Sequence, residues 1–339
     1  RVRLIGSPDI EDYPVVGVRW EGEFREGHRA LISASNASNV TIAGRGYIYG
    51  PPFNLSQLRD PRGPTLLEFS ECTNVTLDGF TTQYQRLWSI HPELCRHFVA
   101  RNLIVRSVDL NGDGIDVDSC SDVLIENCSI DTGDDAVALK SGRGMAAVRL
   151  ARPTEHVVIK DSSLVSSIFA GLAFGTELSG GIRDVRVEDC LISGGQNGIF
   201  LKSRDGRGGY IEDVSGRNLL VYNSPTFVGI NLLDKGIKAS DPVPGKIAKW
   251  TEMKNIHFEH IQVKNVRDLV LARDVPAERP IENLSFSDIG GNCRHAFTLA
   301  NMTNVVLSQI NVVGYHGPLV TKTNVQGKGL EVQQQAIRK

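Results

Sequence analysis

The chain has 339 residues and a formal net charge of −2. That balance excludes a global field for a nucleic-acid or membrane-surface partner, so an acidic ligand must be recognised locally. No apolar run approaches the roughly 20 residues of a membrane-spanning helix, and length alone suggests about two domains, a prior the repeats below override. Residues 1–15 carry no signal-peptide pattern, so a targeting segment is expected to be absent or already removed.

Residues 1–38 are irregular. Within them EDYPVVGVRWEGEF offers Tyr13 and Trp20, which either rim a groove or pack. From Asn39 a unit recurs: Asn, Asp or His, then alternating apolar residues, then a polar or Gly corner. It reads NVTIAGRGYIYG from Asn39, NVTLDGFTT from Asn74, HFVARNLIVRS from His97 and DVLIENCSIDTG from Asp122. HVVIKDSSLVSS from His156, DVRVEDCLISGG from Asp184, NIHFEHIQVKNV from Asn255, NLSFSDIGGN from Asn283 and NVVLSQINVVGY from Asn304 continue it. Pro-rich residues 51–64 and residues 234–250 read as loops between units, and the tail after Tyr315 as a cap or frayed end.

Each unit holds two short β-branched runs of period two, and no segment shows sustained helical periodicity. One such circuit cannot bury its own inner face, but a stack of them creates a continuous core. The units are shorter than the roughly 40–50 residues of a propeller blade. The fold expected is all-β: one right-handed parallel β-helix domain over 1–339, with residues 1–38 as an irregular start and 316–339 as cap or tail. Its hand follows from the general crossover preference. The six cysteines (72, 95, 120, 128, 190 and 293) lack metal-binding spacing and are expected as buried free thiols.

The chemistry concentrates in Asn111–Lys140, NGDGIDVDSCSDVLIENCSIDTGDDAVALK. Asp113 and Asp134 lie 21 positions apart, about one circuit, so their turns are expected to stack and crowd Asp113, Asp134 and Asp135. Like charges so placed raise one another's pKa, which costs stability but suits chemistry needing one protonated and one ionised carboxyl. Asp113, Asp116 and Asp118 mimic the start of a calcium loop but lack its later glutamate and fixed glycine, so neither metal nor cofactor is expected.

At NGDGIDVDSC and DTGDDAVALKSG the chain resembles glycoside hydrolase family 28, the polygalacturonase family, in its bacterial and plant-like branch. The resemblance runs from about Ser7 to about Gly317 and includes WSIHP (Trp88–Pro92), FGTELSGGIRDV (Phe174–Val185) and LKSRDGRGG (Leu201–Gly209). It implies a right-handed parallel β-helix, secreted or periplasmic, that hydrolyses α-linked galacturonate-containing pectic polymers with inversion. It further implies Asp134 as general acid, Asp113 and Asp135 as water-activating bases, Lys202 as partner of a uronate carboxylate and Asn111 as the turn residue beside the first acid. For an inverting pair the carboxyls are expected about 6.5–9.5 Å apart.

The chain departs from the family at three places. Phe169 stands where a site histidine is usual and Phe200 where an arginine precedes the lysine. Rhamnogalacturonan hydrolases of the family also lack that His and Arg, although they tend to have Asp-Glu where this chain has Asp134-Asp135. Two polar groups lost to Phe suit a neutral, methyl-bearing leaving sugar such as rhamnose. The chain also starts without the capping helix and first coils usual in the family. If Arg1 is the true start, this leaves strand edges for self-association or a capping partner.

Several residues read two ways. Arg204 and Arg207 follow Lys202 as a substrate-carboxylate cluster or a solvated loop. Lys140 pairs with a site aspartate or touches sugar. Glu177 orients a site group or binds sugar. His91 lies at the sugar or in the core. The alternatives to a pectin hydrolase with a neutral leaving side are an exo- or endo-polygalacturonase on homogalacturonan and a binding solenoid that has lost turnover. A lyase on a similar coil is disfavoured by the acid triad.

Overall fold

The computed structural model describes residues 2–51, 58, 60–85, 87–108, 110–234, 243–246 and 248–331. These residues form a right-handed parallel β-helix. Half of the loop expected at 51–64, much of that at 234–250 and the extreme tail lie outside them.

Parallel pairing joins strands one circuit apart. One row runs Ile32, Leu67, Ile90, Ile115, Val137, Leu172, Ile199 and Val228, each hydrogen-bonded in register to the next. From Leu67 to Val228 these residues are at most 1% exposed. Full burial of such a side chain is worth about 1.5–3 kcal/mol, so the inward ladder accounts for the stack. Phenylalanines fill the wider interior; Phe258 and Phe286 stack at 5.3 Å. All six cysteines are buried free thiols.

The corners explain the recurring first residue. Asn39, Asn74, His97, Asp122, His156, Asp184, Asn255, Asn283 and Asn304 all have φ between 49° and 60°. Side-chain hydrogen bonding makes Asn and Asp the least costly non-glycine residues there. Their amides chain from circuit to circuit: Asn283 donates to Asn255 at 2.8 Å and Asn304 to Asn283 at 3.1 Å. His156 and His260 pair with Asp184 and Asp288, so these histidines belong to the corners.

Three local expectations change. Residues 1–38 are ordered: Val15–Trp20 and Glu23–His28 form an antiparallel hairpin, and Ile32–Ser35 already joins the stack. Tyr13 and Trp20 are both buried, so they pack. The tail carries a further strand, Val320–Lys328, paired on the preceding circuit. A helix, Gly144–Leu150, leaves the coil after Val137–Lys140; seven residues are too few to print a helical period on the sequence.

Candidate active site

One face of the coil carries the strands Leu67–Ser70, Ile90–Glu93, Ile115–Asp118, Val137–Lys140, Ala170–Phe174, Asn197–Arg204 and Thr226–Asp234. The acidic turns precede two of them. Ile115 pairs with Val137, and Gly114 N–H donates to Asp135 O at 3.0 Å, so Asp113 lies one circuit before Asp135. A side chain at position 114 would meet Ala136 O at 2.3 Å, and this is why a glycine follows the first acid. Ser107 and Thr132 hydroxyls tie the turns down by donating to Gly112 O and Asp134 O.

The expected crowding is present. Asp113, Asp134 and Asp135 each present an oxygen within 4.8 Å of the other two, the one grouping of this kind among the described residues. By nearest oxygens this is tighter than the 6.5–9.5 Å expected above. Such a trio could share a cation, but Lys202 Nζ already sits 2.7 Å from Asp135.

Each acid has a distinct setting. Asp134 accepts from Asn111 N–H at 2.8 Å and from Asp135 N–H at 2.9 Å. Burial and the Asp135 carboxylate nevertheless raise its pKa, outweighing Lys202 and the Asn111 N–H. Asp135 accepts from Lys202 and, at 3.1 Å, from Ala170 N–H, so both its oxygens are engaged. Burial first, then Asp116 and Asp134, push Asp113 well above the ordinary carboxyl range. Burial pulls Lys202 down, but Asp135 and Asp134 hold it above its ordinary value.

Beneath the triad lies a buried charge layer. Lys140 Nζ sits 3.3 Å from Glu177, 3.5 Å from Asp116 and 4.6 Å from the Trp88 ring centre. Burial disfavours its charge, yet Glu177, Asp116 and Asp113 hold its pKa well up. Glu177, despite burial, is held far below the carboxylate range by Lys140, Arg207 and Lys202. Asp116 is fully buried with the Lys140 ammonium 3.5 Å from one of its oxygens; burial outweighs that cation and lifts Asp116 to about 7.

The structure separates the residues that read two ways. His91 is fully buried on the outward side of its strand, edge-on to Trp88 at 4.9 Å. Lys140 and Glu177 are each 5% exposed and pair with one another beneath the acids. Arg207 is buried in the field of Glu177. Arg204 pairs with Asp234 at 3.6 Å. Asn111 has φ 63° and serves Asp134 through its backbone N–H. Phe169 and Phe200 are half-buried; Phe200 packs on Ala138, Ala170 and Ala173, and the Lys202 ammonium lies 5.5 Å from its ring centre.

Sequence reading missed Asp116 and Trp88 as parts of this site. The alternation Ile115-Asp116-Val117-Asp118 was the available signal, because it puts both acids on the outer face. Burial of that face is tertiary: the N-terminal hairpin covers it.

The family model for Glycosyl hydrolases family 28 matches residues 18–308. A probable polygalacturonase of Vitis vinifera is 32% identical over 235 residues, covering 64% of this chain and 47% of that protein. The chain spans about half the length of the curated relatives it matches. Among solved structures, an exopolygalacturonase from Thermotoga maritima superposes with a TM-score of 0.76 at 23% identity, covering 96% of this chain and 78% of that one. A family 28 exopolygalacturonase of Yersinia enterocolitica gives 0.83 at 18% identity, covering 96% and 67%. At these identities the structural likeness speaks for the fold.

Proposed function

The chain belongs to glycosyl hydrolases family 28, and from that premise we propose that it hydrolyses α-linked galacturonate-containing pectic polysaccharide at the Asp113–Asp134–Asp135 cluster. The observation that carries the reading is the placing of three carboxyls and one ammonium on adjacent circuits, where burial and mutual repulsion keep a proton available.

Asp134 is the acid. Its raised pKa keeps it protonated where an ordinary carboxyl is ionised, and it hands that proton to the glycosidic oxygen as the bond to C1 breaks. The bond pair stays on the leaving oxygen. A water oxygen bonds C1, and its proton passes to Asp135, whose two engaged oxygens suit a carboxylate. Asp135 then releases its proton to solvent, and Asp134 takes one back. Asp113 faces the same region, but burial and its neighbouring carboxyls favour its protonated form, so Asp135 is the first base and Asp113 supports it.

Family resemblance implies inversion, whereas nearest oxygens within 4.8 Å suit the closer spacing, about 5–5.5 Å, of a double displacement. We keep inversion, and the first anomer seen by proton NMR tests it. An α-linked substrate gives the β anomer first under inversion; the α anomer first would make one of the aspartates a nucleophile.

Phe200 on its alanine bed gives the leaving side an apolar surface beside Lys202. This supports a neutral, methyl-bearing leaving sugar next to the uronate whose glycosidic bond is cut. Comparing initial rates on rhamnogalacturonan and polygalacturonate is the test; brisk cleavage of polygalacturonate alone overturns the neutral leaving side and leaves a polygalacturonase. A protein that binds both and cuts neither is a binding solenoid. A polymer of this size cannot be imported whole, which supports action outside the cytoplasm.

A further inference from the structure

We infer that the protein attacks its polymer from the non-reducing end, because the face bearing the acids is plugged on one side and open on the other. The inference rests on the hydrolase reading above and specifies how that site meets its substrate.

The plug is built one circuit before the acids. Ser89 N–H donates to Asp113 O at 3.0 Å, so Trp88 and Ser89 occupy the turn just upstream of the first acid. There the Trp88 ring stacks on Trp20 of the hairpin, with centres 4.1 Å apart, and the Arg62 guanidinium covers Trp20 at 3.7 Å. Leu87, Trp88 and Trp20 are each 3% exposed or less.

The hairpin is fastened on both flanks. Arg19 donates to Asp118 and Ser119, each at 2.9 Å, and is 2% exposed. At the hairpin tip Glu23 pairs with Arg143, and Gly22 O accepts from Arg143 N–H. The outward residues His91 and Asp116, which would floor an open groove, are fully buried. One circuit rises about 4.8 Å, on the order of one sugar, so the space before the plug takes a single residue or a short stub.

Beyond the acids the described residues leave the same face open. Two cavities of about 450 and 460 Å³ share Arg267, Leu271 and Arg273, and the first is also lined by Phe200 and Asn231. Phe200, Gly229 and Leu271 stand in register along the floor. Exposed Arg273, and Arg267 beyond its Nε bond to Asp268 at 2.7 Å, supply positive charge for a polyuronate, as guanidinium forks do for carboxylates. Among the described residues a chain thus has room to run out in one direction only. Since Phe200 and Lys202 hold the leaving side, that long arm is the reducing-end portion, and the sugar against the plug is the non-reducing terminus.

Hexasaccharides of galacturonan and of rhamnogalacturonan, each labelled at the reducing end, test this at early turnover with the protein as it stands. The expected result is a labelled ladder that shortens by one or two sugars at a time, with little early loss of viscosity on the parent polymer. Early labelled fragments of three sugars or fewer, with a rapid viscosity drop, overturn the inference and leave the hydrolase reading standing. No cleavage of either substrate overturns the hydrolase reading and this inference with it. In Trp20→Ala, opening the plug should raise the share of internal cuts several-fold. If that variant does not fold, the wild-type ladder still decides.

Discussion

Two kinds of corner carry this coil's Asn and Asp residues, and they differ in what their neighbours supply. At the Asn39–Asn304 corner each side chain finds a donor or acceptor on the next circuit while remaining near water, as Asn283 does between Asn255 and Asn304. At Asp113, Asp134 and Asp135 the next circuit supplies another acid, and water is largely excluded. The same turn chemistry therefore yields a satisfied ladder in one place and competing carboxyls in the other. Stability resides in the first, and reactivity is assigned to the second.

Removing the acid should break the comparison most sharply. Asp134→Asn keeps the N–H bonds from Asn111 and Asp135 but cannot give a proton to the leaving oxygen, so turnover should fall by about 10²–10⁴-fold. The melting temperature should hold, and reducing-sugar release beside a melting curve checks both. Lys202→Met comes next. It leaves Asp135 with the Ala170 N–H but without its cation, and turnover should drop on the order of a hundredfold with the fold retained.

The pH response separates the corners as well. The high-pH fall of kcat/KM should lie above the ordinary carboxyl range, because burial and Asp135 raise Asp134. For stability, Asp116 titrates at about 7 folded against about 4 unfolded, so the folded state binds the extra proton between those values. Its contribution is full below about pH 4 and is lost as pH rises through about 7. Asp116→Asn should flatten that part of a stability-versus-pH curve measured by urea unfolding, and an unchanged slope would count against the raised Asp116 pKa.

Phe200→Arg should sharpen the comparison at smaller scale. A guanidinium beside Lys202 favours an acidic leaving sugar, and the rate ratio of polygalacturonate to rhamnogalacturonan should rise about tenfold or more. The smallest effect is expected in the ladder. Asn283→Ala removes two side-chain bonds and puts Ala at φ 58°, costing about 2 kcal/mol and a few degrees of melting temperature, with turnover unchanged.

The acid cluster was legible because its spacing came within one position of the local circuit, in which Ile115 pairs with Val137 and sets Asp113 beside the Asp134-Asp135 turn. The ladder was legible for the same reason, since each left-handed corner needs Asn, Asp or a similarly tolerant residue. The burial of His91, Lys140 and Glu177 was not. His91 and Lys140 sit on outward strand positions, which are usually wet, and Glu177 lies in the turn after Ala170–Phe174. Trp20, some 70 residues before His91, decides otherwise by closing over Trp88.

Period and corner chemistry are local, and so the sequence by itself determined the coil, its register and the meeting of Asp113, Asp134 and Asp135. Burial depends on what lies across a face, and that was left to the tertiary structure. The hairpin closed over Trp88 and fastened Arg19 to Asp118 and Ser119, while burial paired Lys140 with Glu177 and Asp116 and lifted the pKa values of Asp113 and Asp116. No short-range pattern encodes these outcomes, because desolvation and Coulomb energies are set by every element that packs against the site.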